Sequence, residues 1–168
     1  MLEKTEALNL RDEYVGAMRN VANSVTIVTT NGPAGRQGST VSSFCSVSAD
    51  PPTVLVCLNV NGRTAHAIKN NGTFCVNVLP ENAVGLAKLF AGINGDEETD
   101  RYSDKNWTEE DGRAPRLSGV TAFSCSVIDT VEATSHLIFI GKVNEVQIGQ
   151  HKPLLYLDRK FCKTGSSA

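Results

Sequence analysis

Between Ser24 and Val60 the chain passes three times through short runs of β-branched and hydroxyl-bearing residues, SVTIVTT, GSTVSSFCSVS and PTVLVCLNV, separated by the Gly- and Pro-rich breaks NGPAGRQ and ADPP. Runs this short, bounded by residues that favour turns, predict consecutive strands. TFCVNVL continues the pattern, and after a long polar interval VTAFSCSVIDTVEA, LIFIGKVNEVQIG and PLLYLD return to it, with Gly141 at a predicted bulge or close backbone approach. Helical spacing is confined to three places. LRDEYVGAMRNVA carries Leu10, Tyr14, Ala17, Met18 and Val21 at helical intervals behind a capping Asn9. RTAHAIKN is opened by Asn61-Gly62 and closed by Asn70-Asn71-Gly72, and Glu81 to Gly92 sets Ala83, Leu86, Ala87, Leu89 and Phe90 at the same spacing. Strands therefore follow one another hairpin-fashion, without the alternation of strand and helix that a doubly wound sheet requires. The predicted fold is mainly β: an antiparallel split β-barrel, closed or partly closed, with two or three short peripheral helices. It forms a single domain over residues 1–168 whose ends, 1–8 and 163–168, are expected to fray.

A chain of 168 residues, 40% of them hydrophobic, buries roughly two-thirds of its unfolded surface and needs no metal or disulfide to fold. Its 16 basic and 18 acidic side chains leave no broad cationic face for a nucleic acid, although a local anion site is compatible with them. No apolar run approaches the roughly 18 residues of a membrane span, and Glu3 and Glu6 stand where a signal peptide would be basic and then apolar. The expected location is the cytoplasm. The cysteines, Cys45, Cys57, Cys75, Cys125 and Cys162, form no CxxC and no Cys/His spacing suited to zinc, so no metal is predicted. The first four lie in β-type runs and are predicted to be small buried hydrophobes.

The nucleotide and hydrolase motifs GxGxxG, Walker A, GxSxG and HExxH are missing. Two segments carry chemistry instead. Gly38 to Ser48 interrupts a strand pattern with hydroxyls, of which Thr40, Ser42 and Ser46 would share one face and offer donors and acceptors to a polar, planar ligand. The same spacing is equally that of a solvent-facing row on an edge strand. Asn59-Val60-Asn61-Gly62-Arg63-Thr64 sets a guanidinium and a hydroxyl at a helix N-terminus, which makes either a phosphate pocket or a plain cap. His66 is predicted to pack half-buried in its helix, and His151 to be solvated in a polar turn. The interval from Ile93 to Gly119 is long for a connection, hence functional or disordered. Its acids Asp96, Glu97, Glu98, Asp100, Glu109, Glu110 and Asp111 lack the spacing of a calcium loop and read as a solvated, flexible stretch.

Taken with Phe90-Ala91-Gly92, Asp100-Arg101-Tyr102 and His136 to Val143, these segments resemble the short-chain flavin reductase family, over roughly Met18 to Leu157. The resemblance implies a split barrel that binds FMN or FAD and reduces it with NADH or NADPH, supplying reduced flavin to a partner monooxygenase, commonly as a homodimer. By the same resemblance, Ser39, Thr40, Val41, Ser42, Ser43 and Phe44 look like the strand that lines the isoalloxazine, with Asn59 beside it. Arg63 and Thr64 match the phosphate-side turn. Phe90, Ala91 and Gly92 resemble the segment that closes over the flavin, and Arg101 and Tyr102 stand where the family often has an Arg-Phe pair. His136 matches a histidine that lies by the nicotinamide, here preceded by Thr134-Ser135 in place of the more usual Gly-Asp. Two alternatives remain open at this level. The same flavin site could pass electrons to a metal chelate or a corrin cobalt, or the barrel could bind flavin without catalysis.

Overall fold

The computed structural model describes residues 2–93, 100–103, 106–108, 110 and 112–165. In chain order its elements are α1 (Leu2–Met18), β1 (Asn23–Ser24), β2 (Thr26–Thr30), β3 (Gln37–Val41), β4 (Phe44–Ala49), β5 (Pro52–Asn59), α2 (Arg63–Asn71), β6 (Thr73–Val78), α3 (Val84–Phe90), β7 (Ala122–Ala133), β8 (His136–Gln147), β9 (Leu155–Leu157) and β10 (Lys160–Cys162). Seven of the strands form one antiparallel sheet in the order β3-β2-β6-β7-β8-β5-β4, and β1-β9-β10 form a second. β3 and β4 therefore occupy opposite edges of the large sheet, yet only Ser42 and Ser43 separate them in sequence. Laid flat, seven strands would hold those edges roughly 29 Å apart. The two-residue link spans at most about 11 Å. The sheet must curl until its edges meet, which is the split barrel expected from the strand succession.

Alternation along the strands sorts the core into two layers. Val28, Val54, Val56, Leu58, Phe74, Val76, Leu137 and Phe139 form one cluster together with Ala65 and Ile68 of α2. α2 touches β2, β3, β5 and β6, strands from both halves of the curl, and so closes one end of the barrel. The other layer, outside β2 and β6, gathers Ile27, Cys75, Leu79, Ala87 and Phe90 with Tyr102, Trp107 and Leu117 from the long polar interval. That interval is tied down by Asn77, a fully buried amide: its Nδ2 donates to Ile27 O at 3.2 Å, and its Oδ1 accepts the Leu117 N–H at 2.8 Å. Fully buried polar groups are retained where they are satisfied, and this one fixes the return of the loop onto the sheet.

Several expectations change. The first helix begins at Leu2, so Asn9 lies within it and caps nothing, and Leu10, Tyr14 and Met18 are exposed. α2, α3 and the loop already cover the barrel, which leaves that apolar stripe no core to enter. GSTVSSFCSVS is two strands, because the chain must cross from one sheet edge to the other at Ser42-Ser43; the proposed single face of Thr40, Ser42 and Ser46 does not exist. Cys75 and Cys125 are buried as expected, but Cys45 sits exposed on edge strand β4 and Cys57 is half-buried. His66 is exposed, while His151 is half-buried and its Nε2 accepts the Thr121 N–H at 3.0 Å. The interval after Ile93 packs Tyr102, Trp107 and Leu117 into the core; its acids Asp96, Glu97, Glu98, Glu109 and Asp111 lie outside the described residues. Gly141 pairs with Val127 beside the register shift that follows it, and its Cα lies against the Phe74 ring where a Cβ could not fit. No helix among the described residues is long and apolar enough to cross a membrane.

Candidate active site

The end of β5 turns through Asn59 into α2. Gly62 N–H donates to Asn59 O and Asn61 N–H to Asn59 Oδ1, both at 2.9 Å, so a single asparagine reverses the chain and begins the helix at Arg63. Gly62 supplies no side-chain cap, and first-turn amides of an uncapped helix are open to a ligand or to water. Arg63 is exposed beside this terminus; Thr64, one residue on, is 5% exposed and faces the packed interior.

Arg63 lines a cleft of about 190 Å³ with Arg36, Gly38, Asp100, Arg101 and Tyr102. Arg101 Nη1 lies 3.5 Å from Gly38 O, to which it donates, and the Tyr102 N–H donates to Asp100 Oδ1 at 3.0 Å. Arg36 stands over the Tyr102 ring, 4.5 Å from its centroid, and 3.7 Å from Asp100. Among the described residues the cleft sets the guanidinia of Arg36, Arg63 and Arg101 beside the Asp100 carboxylate, groups of the kind that take a phosphorylated ligand. The floor is aromatic. Phe90, Tyr102 and Trp107 pack with centroids 5.2 to 5.4 Å apart, and Gly38 is required above them, since a Cβ there would lie 2.5 Å from the Tyr102 oxygen. That oxygen is buried without a hydrogen-bond partner, and burial pushes its ionisation well above the usual tyrosine range.

Across the curl, Asn59 pairs directly with His136 in the β5–β8 ladder, and Val60 N–H donates to Ser135 O at 3.0 Å. These contacts seat the tip of the β7–β8 hairpin, Thr134-Ser135, at the same end of the sheet. Thr134 adopts φ 54°, which a glycine takes without strain and a β-branched residue does not. Ser135 Oγ lies 2.9 Å from His136 Nδ1, and a hydroxyl donating there leaves the imidazole proton on the exposed Nε2.

The predicted residues divide into groups. Arg63, Arg101 and Tyr102 converge on the cleft, and Gly92 adjoins it, a Cβ there being 3.8 Å from Arg101 Nη2. Asn59 and His136 stand together, and Ser43 is tied to the same strand by a 2.7 Å bond from its Oγ to Cys57 O. Ser39, Ser42 and Ala91 remain at least partly accessible. Phe90 is 1% exposed beneath the cleft, and half-buried Val41 and Phe44 pack against the barrel interior. The Thr40 hydroxyl donates to Ala87 O at 2.7 Å, and the Thr64 side chain is buried. Arg36 also lines the cleft, a place its Gly/Pro-rich break, which reads only as a turn, does not reveal. A larger cleft of about 360 Å³, lined in part by Thr108, Glu110 and Ala114, contains none of the predicted residues, and its Arg113 and Arg116 are engaged by Glu145.

Residues 18–165 match the model of the flavin reductase like domain. Over 153 residues the chain is 41% identical to the FMN reductase (NADH) RutF of Ancylobacter novellus, an overlap that covers 90% of this chain and 83% of that one. The NADH:FAD oxidoreductase SgcE6 of Streptomyces globisporus C-1027, solved in complex with NAD and FAD fragments, superposes with a TM-score of 0.83 at 28% identity over 94% of both chains. A nitrilotriacetate monooxygenase component B homologue from Mycobacterium thermoresistibile does so with a TM-score of 0.82 at 28% identity, over 95% of this chain and 89% of its own. Since the matched span runs through every strand that builds the barrel, the chain belongs to the family of flavin reductase-like domains.

Proposed function

We propose that this protein is an NADH-dependent flavin reductase, with FMN its first-choice flavin, as in the relative from Ancylobacter novellus. The observation that carries the reading is the cleft in which Arg63 and Arg101 converge beside an uncapped helix end. When bound, a flavin accepts a hydride at N5 from C4 of the nicotinamide, so the chain itself needs no nucleophile. Its residues bind and align. Arg63, Arg101 and the α2 amides hold the phosphate, and backbone and hydroxyl groups of Ser39 to Ser43 border the ring. Donors placed there stabilise negative charge that develops on reduction. His136, whose Nδ1 lies 2.9 Å from Ser135 Oγ, orients the nicotinamide through its ring.

The partner we infer is a flavin-dependent monooxygenase, in keeping with the structural neighbour that is a monooxygenase component. We further infer a homodimer, supported by the exposed stripe Leu10, Tyr14 and Met18 on α1, and a reducing, cytoplasmic setting, supported by cysteines that are free among the described residues. The test of the reading is oxidation of NADH, followed at 340 nm, by flavin-stripped protein with and without FMN or FAD. Flavin-dependent turnover is expected. No turnover with either flavin overturns the assignment.

A further inference from the structure

We propose that Cys45 and Cys57, on neighbouring strands β4 and β5, form a thiol pair that peroxide oxidises to a reversible cross-link, and that the cross-link lowers flavin binding through Ser43. The pairing stands on the strand geometry, while its effect on flavin rests on the reading of Ser43 as a residue that borders the ring.

Register places the two thiols together. β4 runs antiparallel to β5 with Phe44 opposite Val56 and Cys45 opposite Leu55, and the Cys57 N–H donates to Ser43 O at 3.3 Å, which sets Ser43 opposite Cys57. Phe44, Val54 and Val56 belong to the cluster inside the barrel, so Ser43, Cys45, Leu55 and Cys57, which alternate with them, share the outer face. Cys45 and Cys57 are therefore diagonal neighbours on that face. Burial pushes the Cys57 thiol up, and the charge of Cys45 raises it further, an influence that acts between groups close together. Cys75 and Cys125 also lie on adjacent strands, but Cys75 packs in the outer core layer and Cys125 in the barrel interior, so the sheet stands between them.

Cys45 is exposed and meets the oxidant first, while Cys57 is half-buried beside it. The oxidant is hydrogen peroxide, which dioxygen becomes when it takes two electrons and two protons from reduced flavin that reaches no other acceptor. The Cys45 thiolate attacks peroxide, the O–O bond breaks, and sulfenic acid and hydroxide result. The Cys57 sulfur then attacks the Cys45 sulfur: an S–S bond forms, the S–O bond breaks, and the oxygen leaves with the Cys57 proton as water. Two thiols have lost two electrons and two protons, and one peroxide has become two waters. Diagonal positions start roughly 7–8 Å apart, beyond the roughly 5.5–6 Å between Cα atoms that a disulfide prefers, so closure must draw β4 along β5. β4 is the strand able to follow, since it lies at a sheet edge, breaks register between Ser46 and Ser48, and joins β3 through Ser42-Ser43. The movement falls on Ser43, whose Oγ donates to Cys57 O at 2.7 Å.

The test is treatment of the full-length parent, Cys45→Ser and Cys57→Ser with hydrogen peroxide, followed by alkylation, mass spectrometry and fluorescence titration with FMN. Both cysteines fall in one tryptic peptide, residues 37–63, which holds no other cysteine. In the parent that peptide is expected about 2 Da lighter and closed to alkylation, with the FMN Kd raised about fivefold or more, and dithiothreitol should reverse both changes. Neither serine variant should yield the lighter peptide, and peroxide should leave the FMN Kd of Cys45→Ser where it was. A parent peptide with sulfinic or sulfonic acid on Cys45 and an alkylated Cys57 overturns the pair, as does a link between two copies of the chain. Cross-linked parent that binds FMN as tightly as the reduced protein overturns the effect on flavin. Reduced parent that binds no flavin overturns the flavin reading and that effect together, and the peptide mass still decides the pair.

Discussion

At the scale of single residues, the proposed site assigns binding and alignment to different groups. His136 is exposed at the hairpin tip and linked to Ser135, a geometry suited to a donor that orients an incoming ring. His136→Ala is therefore expected to slow hydride transfer in stopped-flow measurements by about tenfold or more, while the flavin Kd changes little. An unchanged rate would remove the histidine from the reaction. Tyr102 raises a different issue. Its hydroxyl is buried, unpartnered and pressed toward Gly38, and an unmet buried hydroxyl costs about 1–3 kcal/mol. Tyr102→Phe keeps the ring on which Arg36 stacks and removes that cost. Its melting temperature should rise by roughly 2–4 °C for each kcal/mol recovered, and a fall would mean that the hydroxyl has a partner after all.

At the scale of elements, the β7–β8 hairpin is the longest pairing in the sheet and ends in a two-residue turn that places Thr134 at φ 54°. The left-handed region costs a β-branched residue about 1–2 kcal/mol, only part of which glycine forfeits as greater freedom in the unfolded chain. Thr134→Gly is expected to raise the urea midpoint of unfolding with the m-value unchanged, at a gain of about 1 kcal/mol. A lowered midpoint would show that Thr134 makes compensating contacts. Elements are also where sequence reading succeeded and failed for identifiable reasons. α2, α3 and most strands were legible, since apolar spacing and Gly/Pro breaks act locally. The division of Gly38 to Ser48 into β3 and β4 was not, because hydroxyl alternation continues through Ser42-Ser43 while the partner strands change from β2 to β5.

At the scale of the molecule, closure of the sheet decides which groups meet solvent. Cys75 and Cys125 lie on the adjacent central strands β6 and β7, and desolvation pushes their thiols up to about 11 and about 12. A thiol reagent at pH 8 should modify exposed Cys45 readily and spare Cys75 and Cys125 until denaturant opens the barrel, which mass spectrometry of the labelled peptides can read. Labelling of either buried thiol in the native protein at the rate of Cys45 would contradict the core assignment. The sequence by itself determined the strand succession and the two short helices, with Asn61-Gly62 opening the first of them and Arg63 behind it, because each depends on neighbours a few positions away. Only the tertiary structure decided that Phe90 and Thr64 are buried, that Asn77 anchors the long loop, and that Arg36 lines the cleft. Those outcomes depend on contacts distant in sequence, such as Asn77 with Leu117 and Arg36 with Tyr102. Contacts of that separation form only when the curled sheet brings its edges together, and they leave no periodic mark in the sequence.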